Sequence, residues 1–169
     1  MEHVASIAFK KARTQYEHVV ARACGGLFCH VEIGLGVHAY TAFMNAGASV
    51  VRLKAVPRLA PEWFVTTVPM TAQQFKTALD FCETKVRTHT PYDLVGAVAS
   101  VVPGLRSVIA CVLGDRAENR MFCSELVTEA LQKSGAAPGA VATLVPQVTH
   151  PVALFEALCA AEPVVPLVL

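Results

Sequence analysis

The chain is short of charge. Only 16% of its 169 residues are Asp, Glu, Lys or Arg, they sum to +1, and no long run of one sign occurs. A phosphate-neutralising patch for nucleic acid is therefore not expected. Lys10, Lys11 and Arg13, the densest basic cluster, read as a solvated strand end. Cys-x-x-Cys pairs are missing, and no histidine stands at a metal-ligand spacing from a cysteine, so neither a metal nor another cofactor is expected. The start, Met1-Glu2-His3-Val4, lacks the basic stretch and apolar core of a signal peptide. No uninterrupted apolar run reaches the roughly 20 residues that span a bilayer, because Leu94–Leu113 is divided by Pro103-Gly104. Repeats, low-complexity tracts and linker-like stretches are also lacking, which makes a single domain, 1–169, the expected organisation.

What is present is core material: 54% of the residues are hydrophobic. Six cysteines (Cys24, Cys29, Cys82, Cys111, Cys123, Cys159) lie mostly among apolar neighbours, where cysteine packs as a small hydrophobe. Unpaired thiols point to a reducing compartment, the cytoplasm. Periodicity predicts strands over Val4–Lys10, Phe28–Leu35, Val37–Phe43, Ser49–Val56 and Trp63–Val68, with a turn at Asn45-Ala46-Gly47 and breaks at Pro57 and Pro61. A helix is expected over Arg13–Ala23 with Tyr16, Val19, Val20 and Ala23 on one side, ended by Gly25-Gly26. Thr71-Ala72-Gln73-Gln74 has the form of a capping box opening a second helix, which closes before Pro91.

The segment Met121-Phe122-Cys123-Ser124-Glu125-Leu126-Val127 carries the chemistry. Leu126, Val127, Ala130 and Leu131 recur at helical spacing, with Glu125, Glu129 and Lys133 on the opposite face and Gly135 as the stop. Cys123 falls in the first turn, where the helix end carries about half a positive charge and favours thiolate over thiol. Asp115 or Asn119 is expected to cap the approach to this helix. A base is available at Cys29-His30-Val31-Glu32-Ile33-Gly34. With period two, Cys29, Val31, Ile33 and Leu35 form an apolar row, while Phe28, His30, Glu32 and Gly34 form the other. Imidazole is the usual base for a cysteine nucleophile, and a carboxylate beside it holds the tautomer and favours the charged ring. The competing reading of His30 is a polar residue facing water from a half-buried strand.

Phe28-Cys29-His30-Val31-Glu32-Ile33, Pro91-Tyr92-Asp93 and Met121-Phe122-Cys123-Ser124-Glu125-Leu126-Val127 resemble, in that order, the signature blocks of the circularly permuted NlpC/P60 proteins, papain-like cysteine enzymes of bacteria, phages and large DNA viruses. Softer matches at Trp63 and at His150-Pro151-Val152-Ala153-Leu154-Phe155 extend the resemblance over most of the chain. It implies an α+β papain-like fold, with an antiparallel sheet or barrel carrying the histidine packed against the cysteine helix. It implies Cys123 as nucleophile, His30 as base and Tyr92 as a donor to a developing oxyanion. Some members place a glutamate where this chain has Tyr40-Thr41-Ala42, and others carry a His-x-Glu pair as at His30 and Glu32. Glu32 is the favoured orienting group here, with Thr41 second.

The expected activity is cysteine-dependent hydrolysis of a peptide, isopeptide-like or other amide bond, without cofactor, in a viral or phage setting in a host cytoplasm. Two further readings stand beside it. Leu94–Leu113 forms either a pair of packed helices or a greasy lip that accepts an acyl chain or touches a lipid surface, which would suit a lipid acyltransferase or thioesterase. The apolar Pro163–Leu169 is expected as an edge strand or an association tail. The remaining reading is a binding module that has lost catalysis, supported by Thr41 in place of an acid.

Overall fold

The computed structural model describes residues 3–43, 49–54, 60–101 and 120–161. The expected turn at Asn45-Ala46-Gly47, the breaker Pro57, the stretch 102–113 with Pro103-Gly104 and Cys111, the caps Asp115 and Asn119, and the tail Pro163–Leu169 lie outside them.

Within the described residues the fold is α+β: five antiparallel strands and six α-helices. The strands are β1 His3–Lys11, β2 Phe28–Leu35, β3 His38–Phe43, β4 Ser49–Lys54 and β5 Trp63–Met70, in the order β4-β3-β2-β1-β5. Strands β2, β3 and β4 pair in succession, and the connection from β2 to β3 is tight. Gly36 takes φ +63 between β2 and β3, a left-handed conformation that costs glycine little. The helices are α1 Gln15–Ala23, α2 Ala72–Arg87, α3 Leu94–Ala99, α4 Cys123–Ser134, α5 Gly139–Ala142 and α6 Pro151–Ala161, with a 3₁₀ turn at Pro146–Val148.

Local chemistry sets the helix ends. Thr71 caps α2 reciprocally: its hydroxyl accepts from Gln74 N at 3.2 Å, and Gln74 Oε1 accepts from Thr71 N at 2.8 Å. The same box at Thr14 and Glu17 opens α1. Glu17 also binds Lys10, and that hydrogen bond, with others from the Thr14 and Arg13 amides, lowers its carboxyl to about 2. Helix α4 stops at Gly135, φ +70.

Leu126, Val127, Ala130 and Leu131 of α4 are all fully buried, in one core with Ile7 and Phe9 of β1 and Val31, Ile33 and Leu35 of β2. Helix α6 adds Leu154 and Leu158, and its Phe155 joins Phe9, Phe28 and Phe64 in an aromatic group with ring centroids 4.6–5.3 Å from Phe155. Two sequence expectations need correction. Glu125 does not sit on a polar outer face. It is 4% exposed, and its Oε2 accepts from Phe122 N at 3.3 Å, so the first turn uses it to satisfy an otherwise open amide. The apolar side of α1 divides: Tyr16 and Val19 are 60% and 64% exposed, while Val20 packs against the core. No helix among the described residues is long and apolar enough to cross a membrane.

Candidate active site

The two rows expected along β2 change phase near its start. Lys10 of β1 pairs with His30, but Lys11 pairs with Phe28, so Cys29 is an extra residue. This bulge moves Phe28 onto the core side with Val31, Ile33 and Leu35, and takes Cys29 out of that row. Cys29 stands half-buried at the pocket described below. His30 and Glu32 keep the shared face predicted for them. Thr41 joins them from β3, since the register Ile33↔Tyr40 places Glu32 beside it.

These three side chains meet. Thr41 Oγ1 lies 3.1 Å from His30 Nε2, and Glu32 Oε1 lies 3.8 Å from the same nitrogen. Glu32 and Thr41 are 3% and 0% exposed. Thr41 therefore makes the hydrogen bond that Glu32 was favoured to make: it stands across from Glu32 in the register, and its hydroxyl reaches the ring two residues along β2, to which Glu32 comes within ion-pair distance. A hydroxyl has one proton to give. Thr41 Oγ1 donates its proton to Val31 O at 3.0 Å, so toward His30 it accepts. Nε2 therefore carries a proton and donates it to Thr41, an arrangement that Glu32 also favours. Phe43 stacks on the ring, centroids 4.9 Å apart and planes tilted by 29°, and restricts its rotation. Thr41→Val should leave the fold intact but slow any His30-dependent reaction of Cys123 about tenfold, the worth of one hydrogen bond of about 1.4 kcal/mol. Burst or labelling kinetics would check this, and an unchanged rate would deny Thr41 the orienting role.

Tyr92 is tied to the cysteine block by backbone. Met121 N donates to Pro91 O at 2.9 Å and Asp93 N donates to Met121 O at 3.0 Å, a parallel bridge that flanks Tyr92 on both sides. Asp93, the last residue of that sequence block, caps α3 by accepting from Gly96 N at 2.8 Å. Burial, and next the nearby Cys123 sulfur, push the Tyr92 phenol well up, so it stays a donor.

Cys123 begins α4 and is 6% exposed. The helix end was expected to favour thiolate, yet burial outweighs it and the thiol is raised. Acting in the other direction are the Val31 and Ser124 amides, the Ser124 hydroxyl and Cys123's own amide. Val31 is the residue after His30, so the cysteine sulfur meets the backbone of the histidine strand one residue along from His30. The Ser124 hydroxyl is wholly buried and has no hydrogen-bond partner, a state that costs about 1–3 kcal/mol.

A pocket of about 380 Å³ opens on this arrangement. Its walls include His30, Glu32, Tyr92, Cys29, Phe43 and Trp63; Cys123 is not on the wall. Among the described residues no cluster of three or more His, Cys, Asp or Glu side chains is arranged to hold a metal. His89, near Tyr92 in sequence, is drawn away by a left-handed backbone (φ 49) and turns its Nδ1 toward Arg87 O at 3.2 Å. The bulge and the Ser124 hydroxyl had no signature in the sequence, since one depends on pairing across strands and the other on burial. No protein-family model matches the chain, and a search of curated proteins finds no match either.

Proposed function

We propose that this protein is a papain-like cysteine hydrolase in permuted order, cleaving an amide bond through Cys123 and His30. The observation that carries the reading is the ring orientation: a buried threonine, its own proton spent on Val31, holds a His30 proton on Nε2, which leaves Nδ1 to exchange one with the thiol. A polar residue merely facing water needs no such arrangement.

The resting Cys123 sulfur is a neutral thiol, because burial disfavours a lone thiolate. Each turnover therefore begins with transfer of the Cys123 proton to His30 Nδ1. Glu32 stabilises the imidazolium so formed across 3.8 Å. The sulfur attacks the carbonyl carbon, and the electron pair of the C=O bond moves onto oxygen. Tyr92 and the first-turn amides of α4 donate to that oxyanion. As the carbonyl re-forms, the leaving amine takes the proton from His30 and departs. Water, deprotonated by the same nitrogen, then hydrolyses the thioester.

A second reading has a specific observation behind it. Helix α3 follows Tyr92 directly and exposes Leu94 by 48% and Val98 by 48%, while Tyr16 on α1 lines the same pocket. Exposed apolar side chains so soon after Tyr92 in the chain suit an acyl ester and a lipid acyltransferase or thioesterase built on the same nucleophile. Intact-mass measurement after mixing with short- and long-chain acyl p-nitrophenyl esters and with amide substrates tests both. The expected result is one acyl adduct on Cys123, absent in Cys123→Ala. Tenfold or greater preference for long chains would select the lipid reading. Equal hydrolysis by wild type and Cys123→Ala would leave only a binding module.

A further inference from the structure

Serine is an odd choice at position 124. Its side chain is fully buried, and its hydroxyl finds no partner. The other serine and threonine residues in the described helices avoid that state by turning back to a carbonyl three or four residues earlier, as Ser134 Oγ does to Leu131 O at 2.9 Å. Thr128 Oγ1 donates to Ser124 O at 2.7 Å, Thr84 Oγ1 to Asp80 O at 2.7 Å and Thr77 Oγ1 to Gln73 O at 3.0 Å. Ser124 is denied this outlet by its place, because it is the second residue of α4 and the third and fourth residues back, Met121 and Arg120, precede the helix. Alanine would occupy the space, form helix better and bury no unpaired group. Packing and helix formation therefore give no reason for the hydroxyl.

The neighbouring sulfur does. Ser124 follows Cys123 directly in the first turn of α4, and its buried, unpartnered hydroxyl favours the charged form of that sulfur alongside the amides of Val31, Ser124 and Cys123. A neutral thiol is a poor acceptor, whereas a thiolate is a strong one that shortens and strengthens its hydrogen bonds.

We propose that the Ser124 hydroxyl is a catalytic donor to the Cys123 sulfur, unengaged in the thiol state and engaged when the sulfur becomes an anion. The proposal rests on the reading of Cys123 as nucleophile. In the step concerned, the S–H bond breaks, its proton goes to His30 Nδ1 and the electron pair stays on sulfur. Ser124 loses no proton; its O–H turns toward the new charge. The unpaired hydroxyl of the resting state is thus a donor held ready for the transition state, so its cost falls on the ground state alone.

The test is the rate of Cys123 alkylation by iodoacetamide against pH in the full chain, located by peptide mass mapping, with a thermal melt for each variant. Ser124→Ala is expected to slow Cys123 labelling about tenfold at neutral pH and to move the profile to higher pH, with an equal or higher melting temperature. Ser124→Gly, a second variant without the hydroxyl, should slow labelling alike. Ser124→Thr, which keeps the hydroxyl, should stay within about threefold of wild type. Superimposable profiles for wild type and Ser124→Ala would overturn the proposal. So would slowed labelling accompanied by a lower melting temperature that Ser124→Thr does not repair, since that marks a structural role. If wild-type Cys123 labels no faster than Cys29 while Ser124→Ala still raises its profile, the donor survives and the enzyme reading fails.

Discussion

Replacing His30 with alanine should cut the rate at which iodoacetamide labels Cys123 at neutral pH by about 10² to 10⁴, the usual worth of a positioned base, and leave Cys29 unaffected. The reasoning starts from the thiols themselves. Burial pushes Cys29 up to about 11, and Cys24 and Cys82 up to about 12. A thiol at 11 is ionised to about one part in 10⁴ at neutral pH. Cys123 begins from the same disadvantage, being raised by its burial and less exposed than Cys29 and Cys159. Exposure alone therefore predicts that Cys29 and Cys159 react first. Labelling of Cys123 ahead of them requires a base, and His30 is the one the proposed function assigns.

The pH profiles separate these cases. Cys29 labelling should climb tenfold per unit toward about 11. Cys123 labelling in the wild type should level off near neutrality, and in His30→Ala it should climb like Cys29. The comparison belongs below pH 9. The folded thiols of Cys24 and Cys82 stand above their ordinary 9.0, so their contribution to stability is complete below that value and is lost as pH rises through about 12. Indifference of Cys123 labelling to His30→Ala would end the catalytic reading.

Leu126→Ala should destabilise the protein by about 2–5 kcal/mol, a large part of the roughly 5–15 kcal/mol typical of a folded domain. Leu126 is fully buried, three residues along α4 from Cys123, and shares the core with the strand that bears His30. Its removal leaves a cavity at the joint that seats the sulfur next to Val31. Urea unfolding followed by circular dichroism would read the loss. Cys123 labelling under native conditions should lose its preference over Cys29 as the helix end loosens. A change below about 1 kcal/mol, the range of a surface substitution, would mean that α4 does not dock on this sheet as described.

These expectations also mark what was legible from residues alone. Helix α4 could be read because its apolar spacing and Gly135 are local signals, and Thr71 with Gln74 announced α2 in the same way. The alternation of His30 and Glu32 correctly put both on one face. Phe28 was assigned to the wrong row because the phase change at Cys29 arises from pairing with Lys10 and Lys11, roughly twenty positions away. Glu125 was placed in solvent because helical spacing counts its charge and not the open Phe122 amide it serves. Thr41 ranked behind Glu32 for a similar reason. Which of two polar groups reaches an imidazole depends on the register of β2 against β3, and no local pattern records that.

The additional residue in β2 has an evolutionary corollary. By letting the front of the strand and its remainder keep independent alternation, it uncouples the aromatic anchor at Phe28 from the face that carries His30 and Glu32. Descendants of this chain can exchange one without re-aiming the other, so new specificities are open to it at little risk to foldability.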